Sequence, residues 1–412
     1  MQKTILARVA QLVLFPTLSC LGAVTVQAAE APTPSIENPL LRQSTLPFQY
    51  PHFDRLNDAH YAPAFEQGMA DQLTEVQAIA QNSEQPTFAN TIVALERSGQ
   101  LLTRVNNVFF NLTSAHTNPT IQEIESAIAP KLAAHTDAIL LDARLFARVK
   151  TLFDQRDALD LDAESKRVLE RYHRDFVRAG ARLSEADKNK LRTLNSEIAM
   201  LETEFAQNVQ KEKNASSIVI ENRGELAGLS ESQIAAAELA AKEDGKEGKF
   251  VLRMMNTTGQ PALTNLTNRP LRERIMQVSL ARGSNGSPFD NRAIVSRLAR
   301  LRADRATLLG HANHAAYQLE EQTAGNIATV NKLLAELAAP SVLNAKREAA
   351  DLQAVIDREN GGFKVAAHDW AFYSEKVRQA RYAFDESQLK PYYELNHVFL
   401  DGVFFAAKKL YG

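Results

Sequence analysis

Apolar side chains recur at three- and four-residue steps through most of the chain. The clearest run begins at Ser184, where Asp187 three positions later makes a capping-box-like helix start. Its apolar positions are Leu191, Leu194, Ile198, Leu201, Phe205 and Val209. Because these positions share one helical face and Lys, Glu and Asn occupy the other, the pattern predicts an amphipathic helix of about 26 residues, roughly 39 Å long.

The same period predicts helices along most of the remaining sequence. They are expected at about 56–82, 88–116, 120–155, 162–180, 230–243, 289–308, 326–358 and 369–382. Two short β-prone runs, 217–220 and 249–254, bracket a Gly- and Lys-rich stretch and predict a small sheet. Segments 256–270 and 282–288 have the composition of loops. The fold class predicted is mostly α, with many helices and a small β element near 217–255.

The N-terminus has the pattern of an export signal. Lys3 and Arg8 precede an apolar run, and Ala28 ends a small-residue cleavage site. Cleavage there would remove Cys20, the only cysteine, whose surroundings depart from a lipoprotein cleavage box at its first position. We therefore expect a periplasmic protein without lipidation or disulfides.

These patterns divide the chain into five regions. We predict a signal peptide at 1–28, an extended lead-in at 29–50, an N-terminal helical region at 51–215, a small β-containing insert at 216–260 and a further helical region at 261–412.

Charge excludes two classes of partner. The chain has 47 Lys and Arg residues against 49 Asp and Glu, which leaves a formal charge of -2. Such a balance creates no long-range field that would gather nucleic acid or an anionic membrane. Neither is expected as a partner.

Histidine spacing provides no zinc hydrolase motif. The motif H-E-x-x-H places two imidazoles on one helical face with a Glu beside the metal-bound water. None of the nine histidines is followed by Glu. We therefore assign no catalytic or metal-binding residue, and the substrate-binding residues stay unassigned.

Two weaker arrangements have the Glu-x-x-His spacing of carboxylate-bridged di-iron bundles. They are Glu170-x-x-His173 and Glu394-x-x-His397. The composition produces such pairs by chance, so solvated or helix-pairing side chains are the favoured interpretation and a helical metal-storage bundle is the alternative. His311-x-x-His314 follows Gly310 and is interpreted as a pair at a helix start.

A basic stretch and a glycine-containing segment complete the candidate chemistry. The stretch consists of Arg269, Arg272, Arg274, Arg282, Arg292, Arg297, Arg300, Arg302 and Arg305. It could attract the terminal carboxylate of a peptide, although a solvated helix face is the favoured interpretation because acidic residues interleave with it. Gly283-Ser284-Asn285-Gly286 is predicted to be a turn, and the chain contains no G-x-S-x-G elbow.

Several segments together resemble one peptidase family. They are 38–41 (NPLL), 44–47 (STLP), 60–65 (HYAPAF) with Gly68-Met69, 99–105 (GQLLTRV), 369–378 (DWAFYSEKVR) and 389–396 (LKPYYELN). In these segments the chain resembles the thimet oligopeptidase family of zinc metallopeptidases, in its bacterial peptidyl-dipeptidase branch, also called dipeptidyl carboxypeptidase. The resemblance extends from Asn38 to the end of the sequence.

The resemblance implies a helical, two-lobed fold around a channel that admits short peptides. In that family zinc is held by the histidines of H-E-x-x-H and a downstream Glu, and the motif's own Glu is the general base. Since the 412 residues contain no such motif, we expect the N-terminal part of a peptidase, leading into a catalytic domain, that is inactive alone and binds no zinc by itself. Short peptides and a complementing C-terminal chain are the expected partners. The alternative is a non-catalytic protein that binds peptides or regulates a partner.

The last segment also predicts exposed apolar surface. After Pro391, apolar side chains spread over much of the helix circumference up to Tyr411. We expect such a helix to leave an apolar face bare.

Overall fold

The computed structural model of the protein describes residues 38–257, 259–383 and 386–412. The predicted signal peptide, its cleavage site and Cys20 lie outside these residues, as does the first part of the lead-in. Among the residues described, no helix has both the length and the apolar character needed to cross a bilayer.

Helices dominate the described residues, as the periodicity predicted. They are α1 Tyr61–Ala80, α2 Ala94–Arg97, α3 Gln100–Ala115, α4 Pro119–Leu140, α5 Ala143–Asp154, α6 Ala163–Ala179, α7 Glu185–Ala215, α8 Glu231–Glu243, α9 Ala262–Asn265, α10 Arg269–Leu280, α11 Arg292–Leu308, α12 His314–Leu319, α13 Ile327–Arg358, α14 Trp370–Tyr382 and α15 Phe405–Tyr411. The mostly α fold class is confirmed.

Two of the predicted helices are interrupted in the structure. The 88–116 pattern forms a π-helical turn, Phe88–Val93, then α2, and Gly99 at φ 69° separates α2 from α3. The 120–155 pattern breaks at Leu141, and Asp142 caps α5 by accepting a hydrogen bond from the Leu145 N–H at 2.7 Å. Apolar periodicity does not detect such breaks because the buried face continues across them.

Helix α7 is longer than its pattern predicted. It has 31 residues and begins after Ser184, whose Oγ accepts from the Asp187 N–H at 3.2 Å and donates to the Asp187 carboxylate at 2.9 Å. Its apolar face packs against α4 and α11, with Leu191 and Ile198 buried. This helix therefore joins the N-terminal helices to the later part of the chain.

The predicted sheet is present as two antiparallel strands. Strand β1, Ile218–Ile220, pairs with β2, Phe250–Leu252, so that Ile218 faces Leu252. Helix α8 covers the pair through Ala240 and Ala241, which pack against Val251.

The core consists of several separate clusters. One joins α1, α3 and α4 around Phe65 and Phe109, whose rings meet edge to face at 5.2 Å. A second fills the space between α5 and α6, and a third lies beneath the two strands and α10. The described part of the lead-in, 38–50, contains 3-10 turns and docks on α3, where Arg104 donates to the Leu40 carbonyl.

Two helical surfaces are apolar and exposed. The buried residues of α13 lie in its last turns, where Leu352 and Ile356 belong to the cluster shared with α14. We define the α13 surface as its exposed apolar residues Leu333, Leu334, Leu337, Val342 and Leu343. We define the C-terminal surface as Leu395, Phe399, Leu400, Val403, Phe404, Phe405, Leu410 and Tyr411, which are also exposed. The bare apolar face predicted after Pro391 is thus present.

Candidate functional site

The histidine of the first Glu-x-x-His pair is part of the helical core. His173 on α6 is buried and stacks on Phe153, with ring centroids 3.7 Å apart and planes at 6°. Burial, followed by the charge of Arg182, lowers the pKa of this imidazole. Glu170 instead pairs with Arg167 at the surface. The expectation of a solvated or helix-pairing His173 is therefore wrong, because its ring packs between aromatic side chains.

The second Glu-x-x-His pair lies at the surface, whereas His311 and His314 are partly buried. Glu394 accepts from the His397 N–H at 2.7 Å, and His397 Nδ1 lies 2.9 Å from the Asp401 carboxylate one turn later. His314 is the first residue of α12, after Asn313 caps the helix, as predicted for a helix-start pair.

Metal ligands do not converge among the described residues. No group of three or more His, Cys, Asp or Glu in that part of the chain could hold an ion. The described residues therefore do not fit the donor set of a zinc hydrolase.

The basic stretch mostly forms pairs between secondary-structure elements. On α11, Arg297 pairs with Glu197 of α7 at 2.6 Å, and Arg302 pairs with Glu202 at 2.6 Å. Arg282 donates to the carbonyls of Met255 and Thr257 and so closes the loop before α9. These bonds are exposed to solvent, in keeping with the favoured expectation of a solvated face, and they also join α11 and Arg282 to other segments of the chain.

Two arginines of the stretch converge on one buried carboxylate. Asp369 is fully buried, and its oxygens accept from Arg269 Nε at 3.0 Å and Nη2 at 2.9 Å, and from Arg272 Nη2 at 2.8 Å. The Ala366 N–H also donates to it at 3.1 Å. Arg272 is itself only 1% exposed. We call Arg269, Arg272 and Asp369 the ion cluster.

The two arginines of the ion cluster make further contacts with carbonyl oxygens and aromatic rings. Arg272 also donates to the carbonyls of Leu266, Thr267 and His368. The guanidinium groups of Arg269 and Arg272 lie over the rings of Phe363 and Phe372, at 4.1 and 4.3 Å from their centroids. Burial opposes ionisation of Asp369, but the hydrogen bonds from both arginines outweigh it and keep its pKa below the ordinary value. The cluster therefore anchors α14 to α10, and the Asp369 carboxylate already holds the two arginines that could have attracted a substrate carboxylate.

Local sequence explains how this cluster forms. Asn268 caps α10 by accepting from the Leu271 N–H, which sets Arg269 and Arg272 one turn apart on the same helical face. Asp369 ends a 3-10 turn directly before α14 and is the first residue of the DWAFYSEKVR segment. Both segments can be recognised in the sequence, but the contact between them cannot, since 97 positions separate Arg272 from Asp369.

The predicted turn also has a structural role. Gly283 and Gly286 adopt φ values of 67° and 77°, which confirms a turn. Between them Asn285 donates to Glu212 at the end of α7, and Ser287 donates to the same carboxylate at 3.2 Å. The turn therefore satisfies a charged side chain that is only 1% exposed.

Comparison with known proteins explains why these segments resemble a peptidase. The profile of Peptidase family M3 matches residues 262–412, which include the ion cluster. The chain is 44% identical over 375 residues to the dipeptidyl carboxypeptidase of Escherichia coli and 43% identical to that of Salmonella typhimurium. Each match covers 91% of this chain and 55% of the relative. Oligopeptidase A of Haemophilus influenzae is 28% identical over 384 residues, covering 92% of this chain and 55% of that protein.

The chain is similar to Peptidase family M3, the thimet oligopeptidase family, over residues 262–412 and in its matches to these relatives. Its higher identity to the two dipeptidyl carboxypeptidases than to oligopeptidase A supports the dipeptidyl carboxypeptidase branch, as the motifs indicated. The chain spans about 55% of the length of these relatives.

Proposed function

We propose that this chain is the N-terminal part of a zinc-dependent peptidyl-dipeptidase that releases C-terminal dipeptides from short peptides. The observation that carries the proposal is the 44% identity to a dipeptidyl carboxypeptidase over 91% of this chain. The match covers 55% of that relative, which leaves a large further portion of it unmatched. Family M3 is zinc-dependent in general, and we propose that the metal site lies in the unmatched portion.

The exposed helices indicate where that portion would pack. The α13 surface and the C-terminal surface consist of Leu, Val, Phe and Tyr side chains about half exposed or more. Contiguous apolar surface of this kind marks an interaction site. We propose that both surfaces are covered by the C-terminal part of the peptidase, in the same polypeptide or in a complementing chain.

The chain alone is proposed to be inactive. Hydrolysis in this family requires a metal-activated water, and no donor set for zinc converges among the residues described. Without the metal these helices could contribute walls that bind a peptide but could not activate water.

A complementation experiment tests the proposal. The chain from residue 29 is mixed with the unmatched C-terminal portion of the E. coli relative and zinc, and cleavage of an N-acylated tripeptide is followed. We expect dipeptide release from the mixture and none from either part alone. Leu333→Glu with Leu337→Glu should prevent complementation, because two charges would enter an apolar interface.

The matched control is Leu239→Glu. Leu239 is 58% exposed on α8, comparable to the α13 leucines, and should tolerate the charge. Zinc-dependent dipeptide release by the chain alone would overturn the proposed inactivity. Peptide binding by the isolated chain, with no activity in the mixture, would instead favour the non-catalytic binding protein.

We further propose that the protein is exported to the periplasm. The support is the charged start, the apolar run and the small residues before Ala28. Cell fractionation followed by N-terminal sequencing should find the mature chain in the periplasm, beginning at Ala29. A cytoplasmic chain that retains Met1 would contradict this.

A further inference from the structure

A polar cavity lies within the helical region, away from the ion cluster. It is lined by residues of α4, α6, α7, α11 and α12, and its volume is about 320 Å³. Such a volume is at the lower end of the range for ligand pockets, about 300–1,000 Å³, and suits a small molecule. Part of its polar lining consists of Asp137, Asn195, Arg305 and Tyr317.

Asp137 presents a buried acceptor to this cavity. The residue is only 6% exposed. Its Oδ1 accepts from Asn195 Nδ2 at 2.8 Å, whereas its Oδ2 is buried without a hydrogen-bond partner among the residues described. Burial raises the pKa of Asp137, and the Asn195 hydrogen bond and the charges of Arg192 and Arg305 oppose that rise. A buried acceptor without a partner is costly, so this oxygen favours a donor from the cavity.

Arg305 presents the complementary donor. Its Nη1 donates to Asn195 Oδ1 at 3.3 Å, and its Nε is buried with no partner in the described part of the chain. Asn195 thus links the two charged groups, and no ion pair within 4.0 Å joins Asp137 to Arg305. One buried acceptor and one buried donor therefore lack partners on the two sides of a single amide.

The remaining charges of the cavity are already paired. Glu202 pairs with Arg302 at 2.6 Å, and Arg178 pairs with Glu320 and lies over the Tyr317 ring at 4.4 Å. A simple anion would meet the carboxylate of Asp137, and a simple cation would meet the guanidinium of Arg305. A ligand with both charges avoids each repulsion.

We propose that this cavity binds a small zwitterion, a free α-amino acid or a dipeptide, with its ammonium group at Asp137 and its carboxylate at Arg305. The contact at each end is a charge-assisted hydrogen bond. The site does not depend on the proposed peptidase activity, because all its residues lie within the described chain. It is distinct from the α13 surface and from the C-terminal surface, which supply no residue to it.

Calorimetric titration of the chain from residue 29 tests the site. The probes are alanine, the dipeptide Ala-Ala, N-acetyl-Ala-Ala and Ala-Ala amide. We expect saturable binding of alanine or Ala-Ala, and affinity at least about tenfold weaker for the two blocked dipeptides, each of which lacks one charge.

Variants then assign the two ends. Asp137→Asn keeps the side-chain shape and the bond to Asn195, and Arg305→Lys keeps the charge but removes the Nε donor. Each should weaken binding of the zwitterion by about tenfold. The matched controls are Asp154→Asn on α5 and Arg297→Lys on α11, which do not line the cavity and should leave affinity unchanged.

Two results would overturn the assignment. One is the absence of saturable binding for every probe at millimolar concentration, with thermal unfolding unchanged by the probes. The other is equal binding of the blocked and free dipeptides, or equal affinity in Asp137→Asn and the wild-type chain. Circular dichroism of each variant separates lost binding from lost folding.

Discussion

Removal of Asp369 tests whether the ion cluster holds α14 against α10. Asp369→Ala would leave the buried Arg272 without its carboxylate partner, and Arg269 would lose it too. Breaking a buried pair by removing one partner costs about 3–5 kcal/mol, because the remaining charge stays desolvated. Arg269 contributes less to this cost, since its side chain is 33% exposed and can recover water.

The control is a surface pair that joins α13 and α14. Asp351 and Arg381 pair at 2.5 Å, but both side chains are about half exposed. Asp351→Ala should therefore cost about 0–1 kcal/mol. The two alanine variants compare a buried carboxylate that pairs with two arginines of α10 with an exposed carboxylate that pairs with one arginine of α14.

Trp370 provides a fluorescent probe next to the ion cluster. It is the only tryptophan in the sequence and directly follows Asp369. Urea unfolding followed by its fluorescence therefore reports on the segment that the cluster holds. We expect a lower midpoint for Asp369→Ala and a nearly unchanged one for Asp351→Ala. Adding Arg272→Met to Asp369→Ala should restore part of the loss, because the substitution removes the unpaired buried cation.

The dependence on pH has a defined sign. The pKa of Asp369 is lowered in the folded protein, so the cluster stabilises fully above the unfolded-state value of about 3.9 and less as pH falls through the folded-state value. The difference between wild type and Asp369→Ala should shrink as the pH falls from neutral to about 3. Equal midpoints for the two alanine variants at neutral pH would refute the reasoning.

Further predictions concern a histidine, a glycine and the exposed helices. Burial lowers the pKa of His173, so the neutral imidazole stabilises the fold above about pH 6.5 and this stabilisation is lost on acidification. His173→Phe should therefore reduce the fall in melting temperature between neutral and acidic pH. His116→Gln at the surface should not reduce it. Gly228 has φ 95°, and an added Cβ would lie 2.0 Å from a backbone carbonyl oxygen. Gly248 has a similar φ of 80°, but the space around it is open. Both Ala variants therefore share the backbone strain, and Gly228→Ala should cost about 1–3 kcal/mol more because of overpacking. Urea midpoints of those two glycine variants measure the difference. The isolated chain should bind an apolar fluorescent dye, and Leu337→Lys should lower that signal because Leu337 belongs to the α13 surface.

Local pattern predicted much of the secondary structure but not its interruptions. The start of α7 at Ser184 follows from a side chain that can bond the next turn, and two short runs of β-prone residues predicted the two strands. The breaks at Gly99 and Leu141 were missed because apolar spacing continues on both sides of them. A glycine at 99 and an Asp at 142 were the available signals.

The residues of the candidate cavity could also be predicted only in part from local sequence. Asp137 lies on α4 directly before the apolar residues Ala138, Ile139 and Leu140, and a charged residue beside such a run is a sequence signal for a buried polar group. Its partners could not be read from that stretch. Asn195 lies 58 positions after Asp137, and Arg305 lies 110 positions after Asn195, on two other helices.

The sequence by itself determined the helical class, the small sheet, the resemblance to a peptidase family and the lack of H-E-x-x-H, because each depends on residues that are near neighbours in the chain. Only the tertiary structure decided the roles of the charged side chains. Arg272, Asp137 and His173 are buried, paired or stacked because helices distant in sequence pack around them. The energy of a charge depends on its burial and its partners, and both are properties of packing that no local pattern contains.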